Sequence, residues 1–478
     1  MIKKVTLIAF LSMGALYYAQ DVSVIKNTTE IYSSNSFGGS AKYNSMAGSM
    51  GALGGDLSSI ATNPAGVGVF ITGDLSATLS VQNNKNNSTL FGKSYESSYS
   101  KANLGQVGAV VSFNTDDTSP WKFINLAFNY NSKNIDDYVK TPEANAIKEA
   151  ISYTNSSNAT VNDYLLYNGH AYDRTGTLSN MTIALGGNYD NKFYLGGSVN
   201  LKNVDLQQSD FFQLKMQNLG ETAYYDKQYT PYSEVANGIS ASLGVIGKLN
   251  RNFRVGLAIE TPTFWSIQRA YTEFGLNNSN MWVSDIFNEE RKLTTPMKAT
   301  LSAAVVANKN FALNIDYTLG VTKPKYKEYG AAERQLNSFF STNYSNTSEL
   351  KVGGEYRING FRVRGGFGTE NNPMKAETLL AFNSGGTAAN FGMSSPYIGK
   401  RQTIAGGIGY DFKSFYVDAG YQSVTSTYDN PFFGGEYAVT AYDGFSVIDG
   451  DGVDNGTSIV SKVKNTKTNF FLTVGWKF

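Results

Sequence analysis

Along most of this chain hydrophobic and polar residues alternate with a period of two, the pattern of a strand whose faces meet different surroundings. In 181–189, MTIALGGNY, Met181, Ile183, Leu185 and Tyr189 share one face, opposite Thr182, Ala184, Gly186 and Asn188. In 311–320, FALNIDYTLG, an apolar face of Phe311, Leu313, Ile315, Tyr317 and Leu319 opposes Asn314, Asp316 and Thr318. The pattern predicts about fourteen strands, near 74–83, 103–113, 121–132, 179–189, 192–206, 237–248, 252–267, 296–307, 310–321, 348–357, 360–369, 401–411, 414–427 and 466–478.

Their connections alternate in length. Tight turns are predicted at Asp190-Asn191, around Asn250, at Lys309, at Asn359 and at Phe412-Lys413, with a slightly longer one at 114–120. Long polar connections are predicted near 84–102, 133–178, 207–236, 268–295, 322–347, 370–400 and 428–465. An even strand count, short turns at one end and long loops at the other describe an outer-membrane barrel with periplasmic turns. Within 133–178, PEANAIKEAIS at 142–152 predicts a short helix with Ala144, Ile147 and Ile151 on one face.

Charge then assigns the faces. Arg254, Glu260, Lys298, Asp316, Lys351, Glu355, Arg357, Arg362, Arg364 and Asp418 fall mid-strand on the non-apolar face. In a membrane barrel that face lines the lumen and the apolar one meets lipid. Composition agrees: 48 Gly, 31 Tyr and 29 Phe against 10 Pro, only 17% charged residues and a net charge of +1. That balance gives no basic surplus for nucleic acid. The start, MIKKVTLIAFLSMGALYYAQ, places Lys3 and Lys4 before an apolar run too short to span a bilayer, which predicts an export signal over 1–19. With no cysteine, there is neither a lipoprotein signal nor a disulfide framework.

Before the first strand lies GALGGDLSSIATNPAG, at 51–66. No Gly-Lys-Ser/Thr follows its glycines, so it is not a phosphate loop. A barrel of this size leaves a lumen that strand side chains alone do not fill. A segment of small residues, in which Gly51, Gly54 and Gly55 allow close approach and Pro64 biases Asn63 away from helix, suits a plug. The expected fold is therefore all-β: a 14-stranded antiparallel transmembrane β-barrel with an N-terminal hatch in the lumen. The expected division is signal 1–19, hatch 20–72 and barrel 73–478.

The stretch from Phe37 to Phe70 resembles the N-terminal region of the FadL/TodX family of outer-membrane transporters. The matching pieces are the small-residue run Ala47 to Gly55, Asp56 ahead of Ser58 and Ser59, and Asn63-Pro64-Ala65. GLAIETPTFWS at 256–266 and LTTP at 293–296 resemble the family more loosely. The resemblance implies passive uptake of long-chain fatty acids or other hydrophobic small molecules by a monomer in the bacterial outer membrane, without a cofactor or metal. Capture would occur among extracellular loops, where Ile147, Ile151, Leu165 and Leu166 are candidate contacts. Those apolar residues serve equally as the loop's own small core.

The C-terminal NFFLTVGWKF alternates Phe470, Leu472, Val474, Trp476 and Phe478, and resembles the signal read by the barrel assembly machinery. Three rival readings remain. A shuttle of an outer-membrane protein secretion system shares this architecture. A haem-related receptor would need an axial ligand, and the one histidine, His170, is expected to be a solvated loop residue. An enzyme lacks support, because no Ser/His/Asp constellation can be placed. IDGDGVDNG at 448–456 breaks the ligand alternation of a Ca²⁺ loop and reads as an acidic turn.

Overall fold

The computed structural model describes residues 19–34, 38–116, 118–154, 160–218, 220, 222–227, 229–276, 282–432, 437–439 and 457–478. Residues 1–18 of the expected signal and the stretch 448–456 lie outside them. The strands are β1 (Asp74–Leu90), β2 (Lys93–Asn114), β3 (Trp121–Asn134), β4 (Thr160–Tyr189), β5 (Phe193–Met216), β6 (Tyr232–Lys248) and β7 (Phe253–Glu260). They continue with β8 (Lys298–Val306), β9 (Phe311–Gly320), β10 (Ser348–Ile358), β11 (Phe361–Glu370), β12 (Lys400–Asp411), β13 (Phe415–Phe432) and β14 (Ile459–Lys477). Each pairs antiparallel with the next. β14 returns to β1 in a register from Asp74↔Lys477 to Thr89↔Lys462, so the sheet closes into a ring.

The period of two is the cause of the two surfaces. Leu75, Leu79 and Val81 of β1, Leu126 and Phe128 of β3, Ile183 and Leu185 of β4 and Phe470, Leu472 and Trp476 of β14 are exposed on the outside. The alternate residues point inward, where Asp316, Glu355, Arg364 and Asp418 are buried. No helix among the described residues is long and apolar enough to cross a membrane; crossing falls to the strands, whose backbone groups are satisfied around the ring. At the tight turns Asp190, Asn191, Asn359 and Lys413 take positive φ (51°, 52°, 55° and 78°), as short hairpin turns require.

At the opposite end the strands run well past the alternating cores predicted for them. The β1–β2 hairpin continues through the connection expected at 84–102 and turns only at Phe91-Gly92. β3 continues as Asp137–Thr141 and Ala144–Thr154, and β7 and β8 continue as Phe264–Leu276 and Trp282–Thr294. The short helix predicted at 142–152 is therefore corrected to a strand. Ala144 to Thr154 pair with 160–167 of β4, and this ladder outweighs the helix preference of a few Ala, Glu and Lys residues.

Candidate functional site

The lumen is closed by residues 19–34 and 38–72, which carry α1 (Ala19–Asn27), α2 (Ala41–Ser45) and two 3₁₀ turns, Leu57–Ala61 and Pro64–Val69. Each 3₁₀ turn starts on a side-chain cap of the kind sequence favours. Asp56 accepts the Ser58 N–H at 2.8 Å and, through its other oxygen, the Ser40 hydroxyl at 2.8 Å. Asn63 Oδ1 accepts the Ala65 N–H at 3.0 Å, with Pro64 at the first helical position. The Asn63 amide donates to Gly51 O at 2.9 Å and to Val245 O of β6 at 3.2 Å. One buried side chain thus ties the Asn-Pro-Ala turn to the glycine run and to the wall. Gly54, at φ +61°, crosses Gly66 so closely that a Cβ there would lie 2.8 Å from the Gly66 Cα.

The wall carries a matching ledge of glycines. Gly186, Gly196 and Gly244 face one another across β4, β5 and β6. A Cβ at Gly196 would collide with Pro64 O, and one at Gly244 with Asn63 Oδ1. Gly353 and Gly366, paired across β10 and β11, support Met46 of the plug in the same way. Glycine inside a strand marks close backbone approach, and the Gly-Gly pairs at 186–187, 196–197, 353–354 and 365–366 were the signal for it. Polar contacts complete the seal. Asp316 accepts the Gly51 N–H at 3.2 and 3.1 Å, Asn314 Oδ1 accepts the Ala52 N–H at 3.1 Å, and Asn125 donates to Val67 O and Phe70 O at 2.7 and 2.8 Å.

Above this body α1 and the turn Thr28–Tyr32 that continues it rise into the upper lumen. Val24, Ile25, Ile31 and Tyr32 insert into an apolar cluster with Val204, Leu206, Trp265, Leu336, Phe340 and Ile398. Leu336 and Phe340 come from α3 (Ala331–Asn343), which descends into the barrel mouth. The opposite face is polar: Lys26 Nζ lies 3.0 Å from Asp137, Asn27 binds Gln208 and Tyr232, and Glu30 lies between Arg174 (3.2 Å) and Lys467 (3.0 Å). Burial alone would raise the Glu30 pKa, but Lys467 and Arg174 outweigh it and hold the carboxyl well below the usual range. For Lys26, burial is likewise overcome, by Asp137 and Tyr172, and its ammonium is held above the ordinary lysine value.

Two voids bordered by charged residues flank the plug body. The upper, with a cavity volume of about 130 Å³, is bordered by Glu30, Lys133, Arg174, Arg401 and Lys467. The lower, with a cavity volume of about 380 Å³ at the periplasmic mouth, is bordered by Lys42, Asp56, Asp74, Glu355, Arg364 and Asp418. Beside the upper void the wall parts. The β2–β3 ladder ends at Gln106↔Asn131, and the continuation of β3 crosses the inner face of the β1–β2 hairpin instead. Asn84 donates to Asp136 O at 2.7 Å, Asn86 to Tyr138 O at 2.8 Å, and Ser97 to Tyr138 O at 2.6 Å. A register shift at Thr78/Leu79 opposite Gly105 accompanies the parting.

Of the expected capture residues, Ile147 and Leu165 meet in one extracellular apolar cluster with Tyr167, Phe212, Leu214 and Phe432. Leu166 is half-buried outside it, and the Ile151 side chain lies outside the described residues. Phe470, Trp476 and Phe478 are exposed on the lipid-facing side of the closing strand. His170, expected in solvent, is instead buried: its Nε2 lies 2.6 Å from Asp210 Oδ1 and its ring stacks on Phe432 at 4.0 Å. The histidine has become part of a strand, β4, and one of its ring nitrogens is held by a carboxylate. Among the described residues no cluster of three or more His, Cys, Asp or Glu is arranged to hold a metal. Missed from the sequence were Lys26, Asn27, Glu30 and Tyr32, because they precede any recognisable motif.

A closed, plugged ring of fourteen antiparallel strands with an apolar exterior defines a transmembrane β-barrel of the bacterial outer membrane. Solved structures refine the class. The chain is similar to a FadL homologue of Pseudomonas aeruginosa, with a TM-score of 0.55 at 12% identity over 92% of this chain and 98% of that one. It is similar to the Ralstonia pickettii toluene transporter TbuX, with a TM-score of 0.52 at 13% identity over 92% and 99%. For the Pseudomonas putida toluene transporter TodX the values are 0.52, 12%, 92% and 98%. The fold is thus that of the FadL/TodX barrels, spanning almost their whole length. No protein-family model and no curated protein matches the chain.

Proposed function

We propose that this barrel is a passive conduit for hydrophobic small molecules, with the luminal segment 20–72 as its gate. The observation that carries the reading is the upper lumen. Its apolar cluster is filled by the plug's own Val24, Ile25, Ile31 and Tyr32, directly above a glycine-lined seal. A hydrophobic molecule that displaces this turn gains the same buried surface, at about 25 cal/mol per Å² of apolar area. Binding and loosening of the plug are then one equilibrium.

The finer assignment, to long-chain fatty acids, rests on the bases that border the upper void, Lys133, Arg174, Arg401 and Lys467, which suit a carboxylate head. Entry would begin at the extracellular cluster of Ile147, Leu165 and their neighbours, with Ile151 and Leu166 nearby. The parting of β2 and β3 beside the void offers a sideways exit into the membrane. Gly51, Gly54, Gly55, Asp56, Asn63, Pro64 and Ala65 are proposed as the moving seal, and Phe470, Trp476 and Phe478 as the assembly signal. Mass spectrometry of lipophilic molecules retained by the purified protein tests the reading, paired with uptake by an Asn63→Ala variant. Retained fatty acid and altered uptake are expected; no retained lipophile together with unchanged uptake would count against it.

A further inference from the structure

Two Thr-Pro breaks sit side by side in the wall, and nothing in the transport reading uses them. β7 is interrupted at 261–263, within ETPTF, before its continuation Phe264–Leu276. β8 is preceded by a second break at 295–297, within LTTPM. A proline brings no N–H to the ladder, so the strands are stitched locally instead. The Thr263 N–H donates to Thr295 Oγ1 at 3.2 Å, and the Thr295 N–H donates to Thr263 O at 3.1 Å.

Outside this double break the wall is indented. The indentation has a volume of about 510 Å³. Its floor is Leu201, Ile239 and Phe264, which stand 41%, 49% and 57% exposed. Its back is closed by Trp265, whose ring packs on the inner side of Gly238, where a Cβ would lie 2.7 Å from it. Just above, outward positions turn polar at Asn237, Ser266, Lys292 and Lys327, so the indentation sits at the extracellular edge of the apolar belt. The two lysines are neighbours: the Lys327 N–H donates to Lys292 O at 2.8 Å. Lys292 Nζ lies 3.5 Å from Glu290, in a pair about half exposed on both sides.

Apolar floor below and paired cations above is the vertical order of an outer-leaflet lipid with acyl chain down and phosphate up. Basic residues at this level attract anionic headgroups. We propose that the indentation is a binding site for one outer-leaflet lipid, its acyl chain on Leu201, Ile239 and Phe264 and its phosphorylated headgroup on Lys292 and Lys327. The site faces the membrane and is separated from the lumen by Trp265, which itself meets Tyr32 of the plug edge-on at 5.1 Å.

Native mass spectrometry of the whole protein in neutral detergent tests this, titrating phosphatidylglycerol against phosphatidylcholine of the same chains. The wild type is expected to retain one phosphatidylglycerol about tenfold more strongly. A Lys292→Gln/Lys327→Gln variant should lose that preference, and Phe264→Ser should weaken both lipids. Heat-modifiable gel mobility confirms that each variant is folded. Equal retention of the two lipids, or an unchanged preference in the lysine variant, overturns the proposal. So does displacement by millimolar inorganic phosphate, which would mean the lysines hold a free anion without a lipid chain.

Discussion

Asn63 is one buried side chain with three jobs, each a hydrogen bond of 2.9 to 3.2 Å. An Asn63→Ala variant removes the bonds to the Gly51 and Val245 carbonyls and uncaps the Pro64 turn, costing about 1–3 kcal/mol for the buried Gly51 carbonyl. Because the barrel ladders are untouched, hydrogen exchange should rise within 51–69 while the strands stay protected. The opposite approach leaves the plug intact and changes its seat. Gly196→Val puts a side chain where Pro64 O lies, so the plug must lift. Single-channel conductance in planar bilayers should rise from near zero, whereas Gly365→Val, at a glycine with open space around it, should leave the barrel silent. The Asn-Pro-Ala turn was legible from residue types alone, since Asn and Pro have narrow backbone and capping preferences. Its glycine ledge was less so, because a strand glycine announces close approach without naming what approaches.

At the scale of elements, the plug's upper turn depends on charge as well as burial. Glu30 is held ionised by Lys467 and Arg174, with its carboxyl pKa depressed on folding. A depressed carboxylate contributes its full stability above the unfolded value of about 4.3 and loses it as pH falls through the lower folded value. Exchange protection of 22–32, corrected for intrinsic rates, should therefore be flat from pH 5 to 8 and collapse below about 4. Glu30→Gln should loosen the turn at pH 7, by on the order of 3 kcal/mol, by leaving two cations without their partner. Protection that is unchanged in this variant would mean that burial alone holds the turn. None of these partners was foreseeable: Asp137, Arg174 and Lys467 lie 111 to 437 positions from Lys26 and Glu30, which they bind, and alternation within a strand says nothing of contacts between distant ones. The segment 142–152 failed for the same reason, since its helix preference is local and the β4 ladder that overrides it is not.

For the whole molecule, strand number, order and inward charge were legible because a membrane leaves the chain so few solutions. Every strand core must alternate, every backbone group must pair, and the ring must close. The height of the barrel was not legible, because above the membrane both faces of a strand turn polar and alternation fades, as in 84–102. The tilt of β3 into the lumen was hidden too, since it is fixed by asparagine side chains of another hairpin.

On the proposed function, the plug must move for a hydrophobic molecule to pass. The chain contains no cysteine, so an engineered pair is free of competitors. A Cβ at Gly51 would lie 3.1 Å from the Ser302 Cβ of β8, near the ~3.5–4.5 Å span of a disulfide. Uptake of a labelled long-chain fatty acid by proteoliposomes should therefore be measured for Gly51→Cys/Ser302→Cys, oxidised and then reduced. The account predicts that uptake stops when the pair is oxidised and returns with reductant. Uptake that continues at the same rate through the locked barrel would contradict it.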